Sequence, residues 1–279
     1  YGLAMISLTY FAGQYVACRP LNRTYAARLV WTANALESFA GSESISEVLT
    51  EENANGFLAA QSDKSPFTIR SYRSDILTLW NGAADCNLVP YPVMRRVRLP
   101  RIPELIVDCY TIDEARKILA AANQLIGRYR WGVRKRDYWN AAVRLAWDTG
   151  LRRGDVIGFR RESVRPDGVV LVLQSKTKKV VTTKLRPTTV VALQALPGGY
   201  PLRWGTDVTY FTRHFRRMVK ASGVGRGTFK WLRRASGSYV ESLQPGAGYK
   251  HLGHSGPGVF NRHYDAKLGG HTLPQPPEL

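Results

Sequence analysis

Acidic side chains are in short supply: 21 Asp and Glu stand against 40 Lys and Arg in 279 residues, a net charge of +19. That deficit leaves no carboxylate cluster of the kind that holds Mg²⁺, and it makes a polyanion, nucleic acid by default, the expected partner. Cysteine is scarcer still. Cys18, Cys86 and Cys109 are widely spaced and form no C-x-x-C pair, which excludes a disulfide framework or a cysteine-based zinc site and suits a reducing, cytoplasmic setting. His251, His254 and His263 lack partners at ligand spacing, so no metal is expected. Long apolar runs are also missing. The uncharged opening Tyr1–Cys18 is interrupted by Gly13 and Gln14 and has no basic leader, so it reads as a helix packed on the body, with no membrane partner. No G-x-x-x-x-G-K-[ST] phosphate loop occurs, and Gly223-Val-Gly225-Arg-Gly227 lacks the preceding strand that a nucleotide site needs.

With 44% hydrophobic and 11% aromatic residues, the chain can bury a sizeable core. The charge is uneven: residues 1–100 hold 9 basic and 8 acidic side chains, residues 101–279 hold 31 and 13. The main polyanion grip is therefore expected in the second part. In the first, Tyr25, Leu29, Ala33 and Leu36 mark a helix over Arg23–Ala40 that ends at Gly41. Thr50 caps a short helix through Gln61, and Ser65-Pro66 opens another with Ile69, Tyr72, Ile76 and Leu79 on one stripe. Arg70 and Arg73 fall off that stripe, on a face that is either merely solvated or turned to phosphates. Pro90, Pro92, Pro100 and Pro103 then bracket Arg95, Arg96 and Arg98, a pattern suited to an extended linker against DNA. The expected organisation is a small helical domain over 1–92, a linker over 93–108, a second domain over 109–268 and a flexible tail over 269–279.

The second domain opens on a capping box, Thr111-x-x-Glu114. A helix over Asp137–Trp147 breaks at Thr149-Gly150 and resumes over Gly154–Phe159. Gly168–Gln174 and Val180–Leu185 are β-rich runs around a polar tip, hence a hairpin, and Pro187 stops the second strand. Thr206–Ser222, Phe229–Leu243 and Val259–Lys267 read as later helices. The fold class is mostly α with one small β-hairpin, α+β.

Isolated cations stand where turns and helix starts can aim them. Arg152 lies in Thr149-Gly-Leu-Arg-Arg-Gly-Asp155, Lys176 on the hairpin tip beside Lys178 and Lys179, and Lys230 and Arg233 one turn apart on one helical face. Leu252-Gly-His254 follows, and ten positions later Tyr264. In this order and separation the chain resembles the tyrosine recombinase (phage integrase) family, most strongly over Trp147–Asp265. The resemblance implies a helical core-binding domain ahead of a catalytic domain. It implies Tyr264 as nucleophile, Arg152 and Arg233 as the catalytic arginines and Lys176 as the hairpin lysine, with Lys178 and Lys179 as competing choices. Lys230 and His254 complete the set. Lys230 stands where the family commonly has histidine, a feature shared with the related type IB topoisomerases.

The reaction so implied is cleavage and rejoining of double-stranded DNA through a 3′-phosphotyrosine, with no metal, ATP or other cofactor. The assembly implied is a homo-tetramer on paired sites, with accessory DNA-bending or directionality proteins as further partners and a nucleoid-associated location. Two alternatives share the fold: topoisomerase-like relaxation, and DNA binding without cleavage. Tyr239 and Tyr249, which do not follow the Leu-Gly-His motif, are expected to pack.

Overall fold

The computed structural model describes residues 6–99, 101, 103 and 106–266. The chain divides into two compact units, Tyr1–Pro103 and Glu104–Leu279. In the first, five helices are built from strong local signals: α1 Leu8–Ala17, α2 Arg23–Ala40, α3 Ile45–Val48, α4 Glu51–Ala60 and α5 Pro66–Asp85. Ser7, Asn22, Thr50 and Ser65 each accept a backbone N–H at the start of a helix, and Pro66 occupies the first turn of α5, where its missing N–H costs nothing. The apolar stripes of α2 (Leu29, Ala33, Leu36) and α5 (Ile76, Leu79, Ala83) meet with Leu8, Val48 and Phe57 in one core. Inside it Asp75 is fully buried, and Arg28 grips it bidentately at 2.7 and 2.8 Å. That hydrogen-bonded carboxylate raises the Arg28 pKa.

The proline-bracketed segment is docked on this unit. Val97 is buried in its core, Asn55 bonds the backbone of Arg96 and Arg98, and the Arg73 guanidinium donates to the Met94 and Val97 carbonyls at 2.7 Å. Four carbonyl and amide contacts outweigh the extended form that the prolines suggested.

The second unit is formed by α6 Ile112–Asn123, α7 Lys135–Thr149, α8 Arg153–Ile157, β1 Val169–Leu173, β2 Val180–Lys184, α9 Pro187–Gln194, α10 Val208–Ala221, α11 Phe229–Leu243, α12 Gly248–His251 and α13 Pro257–His263. The capping box of α6 is made in both directions, at 3.2 and 2.9 Å. The two strands pair antiparallel from Val169↔Lys184 to Leu173↔Val180, with Val170, Val172 and Val181 on the buried face. The core gathers Tyr138, Trp139 and Leu145 of α7, Phe211 and Phe215 of α10, and Phe229 and Leu232 of α11. Pro187 begins a helix: at the first position of α9 a proline is as much a start signal as a stop. The last helix stops at His263, short of the expected span, because Tyr264 leaves helical geometry (φ −134°, ψ −28°); Lys267 lies outside the described residues.

Among the described residues no helix is long and apolar enough to cross a membrane, and no group of three or more His, Cys, Asp or Glu is placed to hold a metal ion.

Candidate active site

Helix α7 is capped by Gly150, whose φ of +59° turns the chain sharply, and α8 starts three residues later. A side chain at Gly150 would collide with Leu252, so the turn and the Leu252–His254 loop can come together only around glycine. Arg152 sits at this turn. Its guanidinium donates to the Oε1 of Gln174, which is fully buried at the end of β1. The other end of the same amide donates to the Leu252 carbonyl at 3.0 Å, and Thr177 Oγ1 donates to Oε1 at 2.9 Å. Gln174 thus ties the arginine turn, the hairpin tip and the histidine loop to one amide. Gly253, at φ +68°, passes so close that a Cβ would lie 2.6 Å from Val181 and 3.0 Å from the Gln174 amide nitrogen.

Arg233 projects from α11 with only 2% of its surface exposed. It donates to the Gly150 carbonyl, to the Leu252 carbonyl at 2.8 Å and to His254 Nε2 at 3.1 Å. Burial, and then repulsion from Arg152, pull its pKa down to about 10, which leaves it charged at neutral pH. Because a guanidinium only donates, His254 Nε2 must accept, and the ring proton resides on Nδ1. That Nδ1 is buried with no hydrogen-bond partner among the described residues. Burial, then Arg233 and Arg152, push the His254 pKa down to about 4, so the ring is neutral.

Tyr264 lies against these groups. Its ring is 4.8 Å from the His254 ring, 5.1 Å from the Arg233 guanidinium carbon and 5.2 Å from Lys230 Nζ. Burial pushes the phenol up, but Arg233, Lys230 and Arg152 together outweigh it, and its pKa falls below that of a free tyrosine. Desolvation lowers Lys230 in turn, with Arg234, Arg233 and Lys176 adding repulsion. The backbone at Tyr264 is fixed from α11: Ser238 Oγ donates to its carbonyl at 2.8 Å and accepts from the Ala266 N–H at 2.9 Å. Three separate stretches of sequence, carrying Arg152, Lys230 with Arg233, and His254, therefore act on one phenol.

Compared with known proteins, no family model matches the chain, and no curated protein matches it by sequence. Solved structures do match. A lambda integrase fragment crystallised as a dimer bound to a COC′ core site superposes with a TM-score of 0.75 at 19% identity, over 98% of this chain and 99% of that one. A lambda integrase tetramer bound to a Holliday junction gives 0.74 at 20% identity, over 98% and 81%. The Tn1549 transposon integrase in complex with a circular intermediate DNA gives 0.68 at 12%, over 92% and 95%. The chain has the tyrosine recombinase fold.

Within the tyrosine recombinase fold, Arg152, Lys230, Arg233, His254 and Tyr264 form one cluster. Lys176 stands on the exposed hairpin tip, close enough to Lys230 for the two charges to repel. Lys178, whose φ of +53° makes the tip, and Lys179 are exposed beside it. The neighbouring Arg153 is directed away, to Thr212 Oγ1 at 2.7 Å. Tyr239 accepts from the Ile112 N–H at 3.0 Å and packs on Trp147. Of the other DNA-binding candidates, Arg70, Arg95 and Arg98 are exposed, Arg96 pairs with Glu51 at 3.5 Å, and Arg73 is committed to backbone carbonyls.

Three residues that hold the site carry no motif in the sequence: Gln174, Ser238 and Arg234, the last bonding the Asp108 and His263 carbonyls at 3.1 Å. Position was the available signal, since Gln174 ends a strand next to Lys176, and Arg234 and Ser238 flank Arg233 on one helix.

Proposed function

We propose that this protein is a site-specific DNA recombinase or integrase that cleaves and rejoins double-stranded DNA through a 3′-phosphotyrosine at Tyr264, with no metal or ATP. The observation that carries the reading is the Arg233–His254–Tyr264 contact, which brings together a phenol, a buried guanidinium and an unpartnered Nδ1–H.

A phenol with a pKa of about 10 is a weak nucleophile at neutral pH. The surrounding cations favour its anion, and Lys230 over the ring stabilises it. The Tyr264 phenol releases its proton to solvent, and its oxygen attacks phosphorus, forming the O–P bond of the phosphotyrosine as the bond to the 5′-oxygen breaks. Lys176, on its mobile stem, gives that leaving oxygen a proton. Arg152 and Arg233 present fixed donors to the non-bridging oxygens, where negative charge gathers in the transition state. His254 enters as a donor through Nδ1, because Nε2 is already used. A 5′-hydroxyl reverses the step, so the bond energy is kept in the linkage. By analogy with the DNA-bound dimer and tetramer of lambda integrase, the working unit is a multimer on paired sites. Phosphate contacts would make binding weaken steeply with salt.

The test is covalent trapping. Protein and supercoiled plasmid, or DNA from the ends of the element that carries the gene, are mixed in EDTA and quenched with SDS, with Tyr264→Phe run beside the wild type. The expected result is a DNA-linked protein that disappears in the variant. An adduct that persists in Tyr264→Phe overturns the assignment of the nucleophile. Tight binding without any adduct on either DNA overturns the enzymatic reading, and relaxation without exchange between two duplexes overturns the recombinase reading in favour of topoisomerase activity.

A further inference from the structure

The densest run of positive charge in the chain lies outside the site. Arg128, Arg130, Arg134, Lys135 and Arg136 fall within nine residues, and no acidic residue occurs between Glu114 and Asp137. The run forms the turn between α6 and α7, and the turn is rigid. Tyr129 N–H donates to the Val133 carbonyl at 2.9 Å, Gly132 N–H to Tyr129 at 2.9 Å, and Lys135 N–H to Gly127 at 3.0 Å. Trp131 stacks on Tyr129 at 4.5 Å with a 9° interplanar angle, and Trp204 closes edge-on against both.

This scaffold sets Arg128 directly opposite Arg134 in an antiparallel bridge. Like charges in that relation destabilise a folded turn, so an ordinary surface would not need to hold them there. Both arginines are exposed, and with Asp137, Leu196 and Pro197 they line a cavity of about 520 Å³. Asp137, the carboxylate among them, pairs with Arg136 at 3.4 Å. The turn sits at the N-terminal end of α7, and the Gly150–Arg152 corner sits at the other. At 1.5 Å per residue the 15 residues of α7 separate the two by roughly 21 Å, or about six base pairs of duplex at 3.4 Å each.

We propose that Arg128 and Arg134 form a phosphate clamp for duplex DNA flanking the scissile phosphate, a footprint separate from the Tyr264 site. The clamp binds backbone and reads no bases, and its occupant neutralises the two arginines that the bridge sets opposite each other, with Arg128 aimed by the hydrogen bond that it donates to the Gly132 carbonyl at 2.6 Å.

Binding can be read without cleavage, so this proposal and the catalytic reading fail separately. In a Tyr264→Phe background, the affinity for a 30-bp duplex is followed by fluorescence anisotropy between 50 and 500 mM salt. Each phosphate neutralised contributes about −0.9 to the slope of log K against log salt. Arg128→Gln/Arg134→Gln is expected to flatten that slope by about 1.8, which is about 60-fold weaker binding at 0.1 M. Arg116→Gln/Lys117→Gln removes the same formal charge from exposed positions on α6 and should leave the slope within about 0.5 of the parent. Arg128→Lys/Arg134→Lys keeps the charges and should keep the slope. The proposal is overturned if the glutamine pair leaves the slope unchanged, if the α6 control flattens it equally, or if the lysine pair flattens it as well.

Discussion

Each unit buries a charged side chain, Asp75 in the first and Arg233 in the second, and the two are treated in opposite ways. In the first unit Arg28 meets a fully buried carboxylate, Asp75, and its pKa rises. In the second, Arg233 is almost wholly buried against two carbonyls and a neutral imidazole, with Arg152 for company, and its pKa falls to about 10. A buried charge without a counter-charge is costly. The first arrangement closes within the protein and serves the fold. The second stays open, and a DNA phosphodiester is the missing counter-charge in the proposed reaction. The difference separates a structural ion pair from a site that needs its substrate to be complete.

The comparison breaks most sharply on substitution. Arg28→Ala, which leaves the buried Asp75 carboxylate without its ion partner, should lower stability by about 3–5 kcal/mol, seen as a shift in the urea midpoint. Arg233→Met should leave that midpoint unchanged or higher while cutting adduct formation by about 10²–10³. A comparable loss of stability in Arg233→Met would mean that its charge is balanced within the protein after all.

A smaller effect is expected for Gln174→Leu, which keeps the volume and removes all three amide contacts. The adduct rate should fall by about tenfold, roughly 1.4 kcal/mol, with DNA affinity nearly unchanged, since Arg152 remains but is no longer aimed. Equal losses in affinity and rate would assign Gln174 a general structural role.

The pH dependence sharpens the contrast further. Burial holds His251 and His254 near pKa 4, against 6.5 in an unfolded chain. Between those values the unfolded state binds more protons, so stability is fully present above pH 6.5 and is lost as pH falls towards 4. His251 Nε2 lies 2.8 Å from Ser236 Oγ, whereas His254 Nδ1 has no hydrogen-bond partner among the described residues and in the proposed reaction donates to the DNA. Duplex DNA should therefore reduce the acid loss due to His254, and His251→Gln should remove the part that DNA does not touch. Thermal melts at pH 4.5 and 7, with and without a short duplex, measure both. The smallest change expected is in Ser238→Ala, a few-fold slower adduct formation from a looser Tyr264 backbone.

Much of the scaffold was legible from local chemistry. The reciprocal Thr111–Glu114 cap, the Arg23–Ala40 helix and the hairpin follow from capping and periodicity, which act over a few residues. Helix α9 was hidden because Pro187 was read as the end of a strand, and α12 because four residues carry no period. The candidate site residues were read as an order of short motifs. Their electrical character was not visible, because burial of Arg233 and the shared carbonyl of Leu252 join positions 19 to 83 residues apart. The docked Arg96–Arg98 stretch was missed for the same reason: composition proposes an extended linker, and Asn55 and Arg73, remote in sequence, decide otherwise.

The most direct measurement is to map the covalent bond. Wild-type protein trapped on element-end DNA would be digested with nuclease and protease, and the nucleotide-bearing peptide identified by mass spectrometry. The account predicts a 3′-phosphonucleotide on Tyr264, in the Phe260–Asp265 stretch. A nucleotide on Tyr239, Tyr249 or any other side chain would contradict it.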